Sequence, residues 1–427
     1  MSISKPSVVS GAVGTINKNV FPTEARERGG SYKGKITVRT GYSLNGISQP
    51  MVEKVMGYIP IMVRSLACHL NNLKPEELVK RGEHEQEWGG YFVIGGHERL
   101  IRMLQTTRRN YPIAMCRGSW KNRGKNFSDK GIMLECGKRD LTTTKNVLHF
   151  VTTGNAKYMF SLNKELFFVP VLMMLKCFKD VPDSYIFRRL TVGVGDDPYF
   201  KRIVVNMLRE LQEEGIFSRD DALEYIGKSF RPKCQVLVPA WYTNKDICQW
   251  LFKKNVAIHL DSDDDKFDLI CVMIKKLFFF VEEKCVVEGA DSLMMHEIVL
   301  GGHLYLQLLK EKLNDFMTIL KIVILRMAKT KGSAFDLTPS VMNNCVTKTG
   351  SLEKPFENFL GTGNLPSKTG LGLMQDKGLT IMAENINRMR YMSHFRAIHR
   401  GSFFAEMRTT EVLFRTNLCH FVRYWLE

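Results

Sequence analysis

No two of the ten cysteines stand three residues apart, so the chain carries no C-x-x-C pair. That absence argues against a zinc ribbon and a disulfide framework, and for reduced thiols in the cytosol or nucleus. Long apolar runs are missing too. The longest, residues 166–175 and 277–281, are far short of a bilayer, and Lys275-Lys276 interrupts the second region. Residues 1–19 lack the continuous apolar stretch of a secretory leader; being polar and rich in Ser and Gly, they are expected to be disordered or foreign to the fold. Acidic residues are scarce relative to basic ones: 44 Asp+Glu face 61 Lys+Arg, a net charge of +17. An excess of this size suits nucleic acid, an anionic membrane or acidic protein partners, with nucleic acid or an assembly containing it favoured.

What is present is ordinary in bulk: 427 residues, enough for two or three domains, with 44% hydrophobic and 25% charged residues. The informative stretch is Gly89-Gly90-Tyr91-Phe92-Val93-Ile94-Gly95-Gly96, a strand-type run between two glycine pairs. A cationic segment follows. Arg99, Arg102, Arg108, Arg109, Arg117, Lys121, Arg123 and Lys125 occur with no Asp or Glu between them, as in surfaces that neutralise phosphate.

Alternation predicts a strand over residues 33–39 and hairpin strands over 147–151 and 159–162. Residues 91–115 read as a strand, a glycine turn, then a long strand or a strand plus helix. Helical spacing appears at 169–177, 199–214, 220–227 and 266–283, and most strongly at 303–329, with Leu304, Leu308, Phe316 and Leu320. The texture therefore predicts a mixed α/β module and a helical module over about 156–340, inserted or in tandem.

Several apparent motifs fail. Asp261-Ser262-Asp263-Asp264-Asp265 begins like a calcium loop, but Lys266 replaces the obligatory glycine and Val272 the bidentate glutamate. The acidic run fits a helix N-terminus better. Gly195-Asp196-Asp197 precedes Pro198 and reads as a turn. His296 and His303 are not four apart, as a zinc helix needs. Gly361-Thr362-Gly363-Asn364-Leu365-Pro366 has proline at the third glycine position of a dinucleotide loop, and Ser367-Lys368-Thr369 lacks the last glycine of a phosphate loop.

Residues 385–408 differ in kind. Arg388, Arg390, His394, Arg396, His399, Arg400 and Arg408 interleave with Met389, Tyr391, Met392, Phe395, Phe403 and Phe404, and only Glu406 is acidic in that span. On a helix Arg390 and His394 share one face, Arg396 and Arg400 another. Cations beside aromatics suit a nucleic-acid strand, or equally an amphipathic helix with a cationic side.

Gly89-Gly90-Tyr91-Phe92-Val93-Ile94, Glu98-Arg99-Leu100-Ile101-Arg102-Met103-Leu104, Arg108-Arg109-Asn110 and Pro112-Ile113-Ala114-Met115 form a wording that resembles the second-largest subunit of DNA-directed RNA polymerase I, of the RNA polymerase beta chain family. Phe21-Pro22-Thr23-Glu24-Ala25-Arg26, Lys164-Glu165-Leu166-Phe167-Phe168 and Leu308-Leu309-Lys310-Glu311-Lys312-Leu313 add to it. So do Ser367-Lys368-Thr369-Gly370-Leu371-Gly372-Leu373 and Ser393-His394-Phe395-Arg396 through Gly401. It spans about residues 20–412.

The resemblance implies an α+β multidomain fold: a protrusion (20–155), a mostly helical lobe (156–340), a return to the protrusion (341–375) and the start of the fork (376–412). It implies transcription of ribosomal RNA genes in the nucleus and nucleolus by the assembled nucleotidyltransferase. DNA template, RNA product and the other polymerase I subunits, the largest above all, are the implied partners. The lobe is expected to dock a zinc-ribbon cleavage subunit and an initiation-factor-like heterodimer. No catalytic residue or metal ligand is assigned here. Magnesium belongs to the assembled enzyme, and zinc to a C-terminal region of the family. Arg388, Arg390, His394, Arg396, His399 and Arg400 are the residues expected to face nucleic acid. After Val412 the chain departs from the family in a divergent tail (413–427), expected to mark a truncated or mispredicted product. The competing expectation is a truncated non-catalytic homologue that binds polymerase subunits or nucleic acid; a stand-alone nucleic-acid-binding module is a third.

Overall fold

A computed structural model describes the chain except residues 9–17, 45, 141, 163–164, 196, 236, 240, 289–291, 332–336, 368–369, 374 and 401–427. The divergent tail, Lys164, Asp196, Lys368, Thr369, Phe403, Phe404, Glu406 and Arg408 lie outside the described residues. The fold is mixed α+β and divides into two compact units. Among the described residues, the first comprises 1–104 and 298–400, the second 105–297. The second is thus an insertion in the sequence of the first.

In the first unit, Lys33–Thr40 pairs antiparallel with Val52–Pro60 and, on its other edge, with Ser2–Ile3. Of residues 1–19, expected to be disordered or foreign to the fold, Ser2–Ile3 is thus held in a sheet by backbone pairing. A second antiparallel sheet runs Thr380–Met382, His97–Ile101, Phe92–Ile94. Both glycine pairs around Phe92–Ile94 are structural. Gly89 and Gly96 have φ of +68° and +80°, and a Cβ would lie 2.6 Å from the Val63 carbonyl oxygen and 2.9 Å from Gly29 Cα. The backbone crosses too closely there for any side chain. Helix Gly301–Lys331 buries Leu304, Leu308, Phe316 and Leu320 in the core with Tyr32, Ile36, Ile59 and Phe92, and helix Glu353–Thr362 adds Phe356, Phe359 and Leu360.

In the second unit a five-stranded antiparallel sheet is ordered Glu165–Pro170, Ala156–Leu162, Thr143–Val151, Phe127–Gly137, Pro112–Cys116. Period-two alternation gives it two apolar faces. Ala114, Ile132, Leu148 and Tyr158 join the large core with the helices Val171–Phe178, Pro198–Glu213, Arg219–Cys234, Asn244–Asn255 and Asp263–Val281. Ile113, Met133, Val147 and Met159 face the other way and pack on Trp120 from the 3-10 turn Gly118–Arg123. Asp263, Asp264 and Asp265 occupy the first turn of their helix, where acidic charge suits the dipole.

These units differ from the boundaries predicted near 156 and 340. Residue 156 lies within the ladder that pairs Val147 with Met159, and hydrogen bonding keeps residues 112–162 with the helices that cover them. The strongest predicted helix belongs to the first unit, through the leucines that reach its core. Helical texture registers helices but not the sheet they pack on.

His149 is fully buried on the smaller face, edge-on to Trp120 at 4.8 Å, with Arg123 Nη1 donating to its Nε2 at 2.6 Å. Burial, reinforced by the Arg123 charge, pushes its pKa down to about 3. As pH falls below the ordinary histidine value the unfolded chain takes up a proton that the folded chain refuses, so stability declines from about pH 6.5 toward pH 3. Between pH 7 and 5 this group alone should cost about 2 kcal/mol. Urea midpoints at the two pH values check this: His149→Phe should flatten the difference, and an unchanged slope would refute the assignment.

Candidate nucleic-acid interface

The cationic segment forms helix Arg388–Arg396, started by Asn387, whose Oδ1 accepts from Arg390 N at 2.7 Å. Its inner side is aromatic. Tyr391 is buried, with ring centroids 5.0 Å from Phe395, 6.0 Å from Trp88 and 6.5 Å from Tyr91. The Tyr391 hydroxyl donates to Glu98 Oε2 at 3.2 Å. Glu98 Oε1 accepts from Arg26 Nη1 at 3.0 Å, and Arg26 also donates to the Tyr91 hydroxyl at 2.9 Å and to Glu83. Glu83 further accepts from Thr23 N at 3.0 Å and Thr23 Oγ1 at 2.6 Å. Burial raises the Glu98 pKa against the pull of Arg26, and raises the hydroxyl pKa of Tyr91 and Tyr391. The helix is thus seated by stacked rings and a buried ion network within the first unit.

The outer side carries the predicted cations. Arg388 lies over the Trp88 ring, 4.0 Å from its centroid, and donates to the Gln86 carbonyl at 2.9 Å. Arg390 is paired with Glu384 at 3.1 Å. His394 Nε2 lies 3.9 Å from the same carboxylate, and burial, with Arg390 adding to it, lowers its pKa. Arg396 is exposed and makes no side-chain hydrogen bond or ion pair among the described residues. Of the six, four are brought onto one helix. His399 and Arg400 lie instead in strand Ile398–Arg400, both half-buried. The shared helical face predicted for Arg396 and Arg400 does not form, because the helix stops at Arg396 and Ala397 turns extended (φ −71°, ψ 125°).

Two further residues belong here. Glu384, the only carboxylate paired with the helix cations among the described residues, sits outside the aromatic–basic pattern of the sequence. Arg102 donates to His399 Nδ1 at 3.4 Å across a separation of 297 residues, and only its place in the cationic run hinted at it. That run is divided between the two units. Arg99 and Arg102 belong to the first unit and the rest to the second, where Arg109 pairs with Glu297 at 2.6 Å, Lys121 with Asp129 at 3.4 Å, and Arg108 covers the Tyr111 ring. Among the described residues no group of three or more His, Cys, Asp or Glu side chains could hold a metal ion. No helix of the described residues is long and apolar enough to cross a membrane.

Residues 1–352 match the family model described as RNA polymerase beta subunit, and residues 381–415 match RNA polymerase Rpb2, domain 3. The first match begins at residue 1 and so takes in the residues ahead of Phe21. Relatives include the DNA-directed RNA polymerase I subunit RPA2 of Drosophila melanogaster, 44% identical over 409 residues, and that of Homo sapiens, 41% identical over 410. The Caenorhabditis elegans homologue is 35% identical over 413 residues. Each alignment covers 96% of this chain and 36% of the relative, so the chain spans little more than a third of the length of these proteins.

Proposed function

The chain belongs to the RNA polymerase beta subunit family, and from that premise we propose that it supplies part of the DNA-cleft wall of RNA polymerase I. The assembled enzyme would synthesise ribosomal RNA by DNA-templated phosphodiester formation, in the nucleus and specifically the nucleolus. In this reading residues 20–155 and 341–375 form the protrusion, residues 156–340 the lobe, and residues 376–412 the start of the fork. DNA, nascent RNA and the other polymerase subunits, the largest foremost, are its partners. The lobe's own partners would be a zinc-ribbon cleavage subunit and an initiation-factor-like heterodimer. The family uses metal in the assembled enzyme; magnesium would be held by the largest subunit and zinc by a C-terminal region of the family.

The chain's share is electrostatic and positional. Aromatic packing fixes helix Arg388–Arg396 while Arg396 stays exposed with no counter-charge among the described residues, and that is the observation on which the reading rests. A fixed cation facing phosphate displaces condensed counterions on binding and fixes the strand's register without reading sequence.

In a full-length subunit, Arg396→Ala with Arg400→Ala should weaken open complexes and reduce elongation. The salt dependence of DNA binding should flatten by a log–log slope of up to about 0.9 per lost phosphate contact. Unchanged transcription and slope would remove both residues from the interface. A chimera placing residues 1–400 in the Drosophila relative tests the wider reading through ribosomal RNA synthesis. Failure of a stable, assembled chimera to transcribe would favour the non-catalytic homologue.

A further inference from the structure

We propose that Arg102, held by His399, is a further phosphate-binding position of the first unit, taking the phosphodiester backbone of a nucleic-acid strand. The proposal rests on the nucleic-acid-facing reading of the neighbouring helix and extends it to a residue outside the six cations.

The motivating observation is a charge without a counter-charge. Partly or fully buried cations of this protein commonly face a carboxylate: Arg26 faces Glu98 at 3.0 Å, Lys33 Glu353 at 2.9 Å, and Lys176 Asp183 at 2.8 Å. Arg102 is half-buried, yet among the described residues it makes no ion pair, and its one side-chain hydrogen bond goes to an imidazole nitrogen. To accept from a guanidinium, His399 Nδ1 must carry no proton. The bond therefore orients Arg102 without neutralising it.

Backbone pairing builds the position. Thr380 pairs with Ile101 in the antiparallel ladder, and Arg102 N donates to the Leu379 carbonyl at 3.0 Å. This fixes the Arg102 main chain beside the strand that leads, within six residues, to the N-cap of the cationic helix. The positive field of Arg102 reaches His394 on that helix, adding to burial and Arg390 in lowering its pKa. Burial lowers the pKa of Arg102 itself, so the unliganded fold carries this charge at a cost to its own stability. A guanidinium with unused donors in that setting matches the paired oxygens of a phosphate.

This combination separates a binding role from a structural one. A structural arginine loses stability when its charge is removed; one waiting for phosphate does not. The purified chain and its Arg102→Gln, Arg102→Lys and Arg396→Ala variants should be titrated with a fluorescein-labelled single-stranded DNA of about 20 nucleotides, between about 50 and 200 mM salt. Thermal unfolding is followed without DNA. We expect Arg102→Gln to melt at or above the unaltered chain, to bind several-fold more weakly, and to lose about 0.7 of log–log salt slope. Arg102→Lys should recover the slope while remaining weaker, since it keeps the charge and loses the fork. The inference is overturned if Arg102→Gln binds with unchanged affinity and slope, or lowers the melting temperature with no change in slope. If Arg396→Ala weakens binding in the same series, the family reading survives that failure. If the unaltered chain shows no salt-dependent binding, both fall together.

Discussion

Arg26→Met should destabilise the first unit by about 3 kcal/mol, the lower end of the range for breaking a buried ion pair. The Glu83 side chain is 1% exposed, and Arg26 supplies its counter-charge as well as a hydrogen bond. Methionine fills much of the space but strands a carboxylate. Two donors from Thr23 remain to Glu83, which is why the lower end is expected. The loss should spread, because Arg26 also holds Tyr91 and Glu98, and Glu98 accepts from Tyr391 beneath the cationic helix. Faster amide exchange in His97–Ile101 and in Arg388–Arg396 should accompany a lower urea midpoint, and DNA binding should weaken although no phosphate contact is deleted. Adding Glu83→Gln to Arg26→Met should recover most of the stability, since glutamine removes the stranded charge and keeps an acceptor for Thr23. A double variant as unstable as the single one would show that shape, not charge, is what Arg26 contributes.

How much of this was legible beforehand depends on the range of each interaction. The glycine pairs bracketing residues 91–94 announced strand Phe92–Ile94, and the leucine spacing of 303–329 announced helix Gly301–Lys331, because both signals are local. The cations of residues 388–396 were legible for the same reason. Arg26 finding Glu83, or Arg102 finding His399, could not be read, since such pairs join segments 57 and 297 residues apart with no shared pattern. The inserted unit was half legible: its helices showed their period, but its sheet read as the tail of the preceding module. That sheet presents apolar side chains on both faces, which blurs the in–out contrast that would have marked its strands as belonging to the helices.

Gly227→Ala offers a sharp test in the second unit, because local and tertiary physics disagree in sign. Gly227 lies inside helix Arg219–Cys234, where exchange to alanine would ordinarily add about 1 kcal/mol of helix stability. Here a Cβ would fall 2.0 Å from the Asn244 carbonyl oxygen, 2.5 Å from its carbon and 3.0 Å from its Cα. All three are backbone atoms in the first residue of helix Asn244–Asn255, which Thr243 and Asp246 lock in a capping box. No rotamer change relieves that contact, so the two helices must move apart. Ile226 and Phe230 on one, with Ile247, Cys248 and Leu251 on the other, would then lose packing in the shared core. Overpacking of this kind costs about 1–3 kcal/mol, and obstruction by main chain places it at the upper end. Set against the propensity gain, a net loss of about 2 kcal/mol is expected. Amide exchange should quicken in both helices while Phe92–Ile94 and His97–Ile101, in the other unit's core, keep their protection. A stabilised variant would mean that the helices do not approach through Gly227, and the packing described for the inserted unit would have to be redrawn.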